Sequence, residues 1–477
     1  MKPSIIPFLL LIHLNTYAQT DKEKILQVEK NLVGTIQLSG ETPWTITERM
    51  THYKIPGLSI AVIQHYKIAW AKGYGWANDS LKIPVTTNTL FQAASISKSL
   101  NGVGILKLVQ HNKLDLYTDI NTYLTSWHFP YDSLAKGKKI TVANLLSHTA
   151  GLTVHGFRGY LQGAPLPTVI QILNGEQPAN SDPVRSMFEP GIKSEYSGGG
   201  TIISQLIVMD ITHRPYADYM KEEVLQPLGM TASTFSQPPV EIQPTLLATA
   251  YRGDGKPIEG NYHIYPEQAA AGLWTNPTDL AKYIIETQLA AEGRSAKVLN
   301  QATTKLRLTP YLDKSAALGV FIDTESGYFG HGGGNDGFRC QYYGSLKDGN
   351  GVVVMINSDN GSILPEVINS VAKVYGFKGL YHSSIKESVT IPDSVLQTYT
   401  GEYALSNDFT ITIYKEGKVL FAQATRQGSF EIIPETQTRF FTREFPANLE
   451  FTKDNTGKVN ALILYQNGEQ QEAKKIK

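Results

Sequence analysis

The stretch Leu90-Phe91-Gln92-Ala93-Ala94-Ser95-Ile96-Ser97-Lys98-Ser99-Leu100 carries a serine and a lysine three residues apart, and Val103, Leu106, Lys107, Val109 and Gln110 continue it with an apolar face at helical spacing. On a helix, residues three apart share a face, so Ser95 and Lys98 are neighbours if the helix begins here. A serine hydroxyl is a poor nucleophile until a base lies within hydrogen-bond reach, and Lys98 is a candidate for that base. The expected place at a helix N-terminus adds unpaired N–H groups that favour developing negative charge. A plain N-cap role for Ser95 is the alternative that this stretch alone leaves open.

Ser-x-x-Lys is short enough to recur by chance, and further copies are present in the chain. Ser133-Leu134-Ala135-Lys136 lies in a polar connection, and Ser383-Ser384-Ile385-Lys386 lies in what reads as a linker. Neither precedes an amphipathic helix. Two distant stretches give Ser95 its company: Tyr196-Ser197-Gly198, between Phe188-Glu189-Pro190-Gly191 and a helical run from Ile202 to Met209, and His331-Gly332-Gly333-Gly334 in a strand-rich region.

Together these stretches resemble the serine β-lactamase and penicillin-binding protein family, in particular its branch of class C β-lactamases, D-aminopeptidases, DD-carboxypeptidases and esterases. Pro56-Gly57-Leu58-Ser59-Ile60-Ala61-Val62 is similar to the family's first strand, and Leu145-Leu146-Ser147-His148-Thr149-Ala150-Gly151-Leu152, Pro227-Leu228-Gly229-Met230 and Ala271-Gly272-Leu273-Trp274-Thr275 extend the likeness from about Pro56 to about Gly376. The resemblance implies an α/β fold of the α+β kind, an antiparallel sheet flanked by helices with a helical subdomain beside it and the site between them. It implies Ser95 as nucleophile, Lys98 and Tyr196 as the proton-transfer pair, and His331 as a group that polarises substrate or steadies Tyr196. By the same analogy the backbone N–H groups of Ser95 and Gly334 form the oxyanion hole, with Gly333 and Gly198 lining the substrate. One of Lys98 and Tyr196 must be deprotonated to act as base, and the sequence leaves open which.

Two departures matter. The family's Tyr-x-Asn has Gly198 in its third position here, which removes one polar side chain from the substrate's reach. The literal Tyr465-Gln466-Asn467 reads instead as the approach to an Asn-Gly hairpin turn. The third motif has His331 where the β-lactamases proper carry lysine. Gly332-Gly333-Gly334-Asn335-Asp336-Gly337 also fits G-x-G-x-x-G, but Phe338-Arg339-Cys340-Gln341-Tyr342-Tyr343 follows with strand composition where a dinucleotide site needs a helix.

Bulk properties narrow the field. Among 477 residues, 43 Lys and Arg balance 43 Asp and Glu, so no basic field recruits nucleic acid or anionic lipid. No metal site is expected, since His-Glu-x-x-His is absent and His148 and His155 lack ligands at useful spacing. No cofactor is expected either. His148 reads as part of a structural loop, and Asp279 as the N-cap of a helix. The α/β-hydrolase elbow G-x-S-x-G is absent. The single cysteine, Cys340, reads as a buried strand residue.

Lys2, the apolar run Ile5 to Leu14 and Thr16-Tyr17-Ala18 read as a cleavable export signal over residues 1–18, with no membrane span and a periplasmic or secreted destination. The hydrolase unit is expected over 19–377, a polar linker over 378–393, and over 394–477 a small antiparallel barrel of lipocalin-like type, from short alternating runs separated by Glu416-Gly417 and Asn455-Thr456-Gly457. The expected substrate is a D-amino peptide, a small ester or, weakly, a β-lactam. A slow or non-catalytic penicillin- or peptidoglycan-binding sensor is the alternative, and the oligomeric state is not legible.

Overall fold

The structure, a computed structural model, describes residues 20–406, 408–425, 429–443, 447–466 and 468–477; the export signal read over residues 1–18 and the turn residue Asn467 lie outside them. Its centre is a seven-stranded antiparallel sheet of β1 (Gly57–Gln64), β2 (Lys67–Asn78), β3 (Ile83–Pro84), β4 (Phe321–Asp323), β5 (Tyr328–Asn335), β6 (Phe338–Ser345) and β7 (Gly351–Ile356), in the order β3-β2-β1-β7-β6-β5-β4. The first and last thirds of residues 19–377 thus meet where β1 pairs β7, with Ile60 opposite Val354.

Strand period two divides the apolar residues between two cores. Leu58, Ile60, Val62, Val352, Val354 and Ile356 face the N-terminal helix Asp21–Lys30 and the C-terminal helix Ile363–Tyr375, whereas Ala61, Ile63, Val353 and Met355 face the helical region. Both faces are covered, which is why these strands read as continuous apolar runs. The β1–β2 turn uses His65 and Tyr66, both at positive φ, the requirement of a two-residue turn matched to strand twist.

The helical region holds α1 (Ser97–Gln110), α2 (Gly198–Thr212), the short α3 (Gln268–Ala271) and α4 (Pro277–Ala291). Asn276, with Pro277 in the first turn behind it, caps α4 by accepting from the Asp279 N–H. The expectation of Asp279 as the cap is therefore corrected: its buried carboxylate instead accepts from the Ala232 N–H and the Ser233 hydroxyl and pairs with Lys282.

At the C-terminus eight strands, from Gly401–Ser406 to Glu469–Lys475, close an up-and-down barrel, the last pairing with the first through Lys475 and Tyr403. Gln466 pairs with Glu469 across the final hairpin. Tyr399, Tyr403, Phe440, Leu449 and Phe451 fill the interior, with Tyr399 stacked on Phe451 at 4.3 Å, so this barrel is packed by side chains in the way small eight-stranded barrels can be.

The stretch 378–393 is less free than a polar linker. Ser384–Lys386 pairs in parallel with Ile36–Leu38, and Leu380 and Ile391 are buried. Arg443 of the barrel holds Glu41 with two bonds of 2.8 and 2.9 Å, and Lys386 holds Glu435, so barrel and N-terminal segment are fastened together.

Candidate active site

Phe91-Gln92 pairs with Trp274-Thr275 and delivers Ala93 and Ala94 to a 3-10 turn over Ala94–Ile96. α1 itself begins at Ser97, so Ser95 sits in the tight turn ahead of the helix and not in its first α-turn. Ala94 has φ +48, a left-handed conformation that costs a non-glycine residue on the order of 1–3 kcal/mol. The Ser97 hydroxyl holds the turn in place by donating to the Ala94 carbonyl at 2.6 Å and accepting from the Leu273 N–H at 3.0 Å.

Lys98, 4% exposed, extends back over this turn. Its Nζ lies 3.1 Å from Ser95 Oγ and donates to the Ala270 carbonyl at 2.8 Å. Ala270 belongs to α3, a contribution that no sequence spacing announces. Half-buried Tyr196 brings its ring centroid to 4.9 Å from the same Nζ.

Around Tyr196 the aromatic groups form a packed wall: His148 at 4.3 Å, Phe321 at 6.5 Å and His331 at 6.4 Å between ring centroids. His148 Nδ1 accepts from the Ser197 N–H at 3.3 Å, which puts the proton of its neutral imidazole on Nε2. Burial, then the charge of Lys98 and then His331 keep His148 well below the ordinary histidine pKa. The structural role read for His148 is located: its ring and Nδ1 fix the ring and backbone of the Tyr196 segment.

His331 on β5 points its Nδ1–H at the Gly332 carbonyl, 2.6 Å away. A carbonyl can only accept, so Nε2 is left as an acceptor, and it has no partner among the described residues. Burial, the Lys98 charge and Arg307 push His331 down to about 4, leaving it neutral near pH 7.

Glycine at 333 is required by close approach: a Cβ there would meet the Ala93 carbonyl at 2.2 Å and Cys340 Sγ at 2.5 Å. β5 is thereby pressed against the turn that carries Ser95. Asn335 secures the contact, donating to Gln92 Oε1 at 2.8 Å and to the Ala271 carbonyl at 3.1 Å. Gly334 follows on the exposed part of the same strand. On that edge β4 pairs with Tyr328 to Gly330 only, so Gly332 to Asn335 have no strand partner there among the described residues. Cys340 is buried, and burial pushes its thiol up.

Sequence reasoning did not find Phe321, Ala270 or Glu267. Glu267 caps α3 with its backbone carbonyl, which accepts from Ala270 and Ala271. Its side chain is fully buried and neither oxygen makes a well-formed hydrogen bond. A carboxylate separated only by Gln268 from the alanine run Ala269-Ala270-Ala271 is the signal that could have singled it out. Among the described residues no group of three or more His, Cys, Asp or Glu is placed to hold a metal ion, and no helix is long and apolar enough to cross a membrane.

A sheet with a serine-lysine pair at its helical seam and a glycine-lined strand edge opposite defines a penicillin-binding-protein-like serine hydrolase fold. Residues 45–371 match the family model described as Beta-lactamase, more than half of the chain, and the chain belongs to that family, whose members are serine hydrolases. Residues 386–475 match a domain of unknown function, DUF3471. Among similar proteins, "Protein flp" of Staphylococcus aureus (strain N315) is 24% identical over 323 residues, 66% of this chain and 62% of that protein, so the chain matches less than two thirds of its length. "Penicillin-binding protein 4*" of Bacillus subtilis (strain 168) is 22% identical over 435 residues, 86% of this chain and 93% of the relative. Among solved structures, the octameric penicillin-binding protein homologue from Pyrococcus abyssi superposes with a TM-score of 0.62 at 22% identity, over 90% of this chain and 98% of that one, a likeness of fold.

Proposed function

We propose that this chain is an exported hydrolase that cleaves amide or ester bonds through an acyl-enzyme on Ser95, acting on D-amino peptides, small esters or, weakly, β-lactams. The observation that carries this reading is the 3.1 Å approach of Lys98 Nζ to Ser95 Oγ beside the ring of Tyr196. Ser95 Oγ attacks the carbonyl carbon, its proton passes to whichever of Lys98 and Tyr196 is deprotonated, and the leaving group departs with a proton from the same pair. Water then attacks the acyl carbon, gives up its proton to that pair, and releases the acid with Ser95 restored.

The Ala270 carbonyl orients Lys98 toward the serine. His148 and Phe321 fix Tyr196, and neutral His331 offers an acceptor at Nε2 without adding a charge next to Lys98. The backbone N–H groups of Ser95 and Gly334 are proposed as the oxyanion donors. Export to the periplasm or medium rests on the sequence pattern of residues 1–18, and hydrolysis of exported or cell-wall-derived acyl compounds fits it.

The test is a panel on purified protein: a chromogenic cephalosporin, a D-alanyl-D-alanine peptide, a D-amino-acid anilide and a short-chain nitrophenyl ester. Turnover of at least one substrate, lost in Ser95→Ala, supports the reading. Stable acylation without release would support the penicillin-binding sensor instead, and absence of both would remove the proposal.

A further inference from the structure

The segment Thr153 to Arg158 runs beside Tyr196 and the start of α2, and it is fastened there at several points. The Ser197 hydroxyl donates to the Thr153 carbonyl at 2.9 Å, the Gly199 N–H donates to the Val154 carbonyl at 2.9 Å, and His155 Nδ1–H donates to the Tyr196 carbonyl at 2.5 Å. Val154 has φ +65, an outlier for a β-branched residue and one that these contacts hold in place. At its far end the Arg158 carbonyl accepts from His263 Nδ1 at 3.1 Å, and that nitrogen also lies 3.2 Å from the carboxylate of Asp336, the residue that follows β5. The segment therefore spans from Tyr196 to the end of the strand whose open edge lines the site.

Within that span, Phe157 stands where a side chain at position 198 would be. A Cβ on Gly198 would lie 2.8 Å from Phe157 Cε2 and 3.3 Å from the His155 carbonyl. Glycine at 198 is the counterpart of a space already filled, and the filling group is an aromatic ring packed against the main core.

We propose that Phe157 is a specificity-determining residue, an aromatic wall that limits the acyl side of the site to small acyl groups and disfavours acyl groups with a bulky acylamino substituent. This rests on the reading of Ser95 as the acylated nucleophile. The ring occupies the space beside Gly198, two residues after Tyr196, and exposed His155 donates to the Tyr196 carbonyl.

The experiment compares kcat/KM for p-nitrophenyl acetate and for the p-nitrophenyl ester of N-phenylacetylglycine, which share a leaving group and differ in the acyl part. Phe157→Ala should shift the ratio toward the acylamino ester by about tenfold or more, the scale of a pocket-size change, with Phe157→Leu shifting it less. Gly198→Ala should lower acylation by both esters, and adding Phe157→Ala to it should recover part of the loss. A ratio within twofold of the unaltered protein in a folded, active Phe157→Ala overturns the inference. If Phe157→Ala does not fold, an unchanged ratio in Phe157→Leu overturns it equally. Hydrolysis of neither ester by the unaltered protein, with Ser95 unlabelled by a fluorophosphonate, overturns the Ser95 reading and takes this inference with it.

Discussion

Glu267→Gln isolates one buried carboxyl and turns it into a measurable dependence on pH. Burial pushes Glu267 up from an ordinary 4.5 to about 8, with only its own backbone and the Tyr160 hydroxyl favouring the charged form. Its folded pKa is raised, so the favourable contribution is complete below about 4.5 and is lost as pH rises toward 8. At about 1.36 kcal/mol per unit, the wild type gives up roughly 3 kcal/mol between pH 4.5 and 7 that the glutamine variant, which does not titrate, retains. A difference of that size corresponds to roughly 3–6 °C in melting temperature for a unit of this scale. Thermal unfolding of both proteins at pH 5, 6, 7 and 8 reads it directly, because groups common to both cancel. The gap between variant and wild type should widen in favour of glutamine from pH 5 to 8. A gap that stays constant across that range means Glu267 titrates normally and refutes the reasoning.

Lys98→Ala and Tyr196→Phe should each slow acylation by ~100-fold or more, the usual scale of a general acid-base contribution, measured as the rate of ester burst or fluorophosphonate labelling. Near-native rates in either would remove that residue from the proton path. His331, pushed down to about 4 by burial and then by Lys98, makes the fold lose stability as pH falls from 6.5 toward 4, where the unfolded chain takes up the proton first. That loss should reach about 3 kcal/mol and be diminished in His331→Asn, with buried His148 adding a loss of the same sign. Native Cys340, buried with its thiol pushed up, should resist alkylation by iodoacetamide at pH 8 and react at once in denaturant.

The relation between sequence and site has a physical pattern. The nearness of Ser95 to Lys98 was legible because helix-like geometry makes three residues a contact distance, and the packing of Tyr196 and His331 beside them could be expected only from flanking text that resembles a known family. The sheet was legible from two apolar hairpins, and the barrel from short alternating runs with turn residues between them. What was hidden depends on packing between distant segments. The Ala270 carbonyl reaches Lys98 across 172 residues, and the pairing of Ile36–Leu38 with Ser384–Lys386 leaves no pattern in a three-residue strand. Asn276-Pro277 did carry the cap-then-proline signature of a helix start, and the acidic Asp279 drew the reading away from it. Gly198 was visible as a departure, but only the position of Phe157 gives it a physical meaning.

The central claim is that Ser95 is acylated. Intact-protein mass spectrometry of the full chain after exposure to a fluorophosphonate, followed by peptide mapping, tests it in one step. The account predicts a single adduct on the peptide containing Ser95, absent in Ser95→Ala and unaffected in Ser133→Ala and Ser383→Ala. An adduct on Ser133 or Ser383, or labelling that persists in Ser95→Ala, would contradict it.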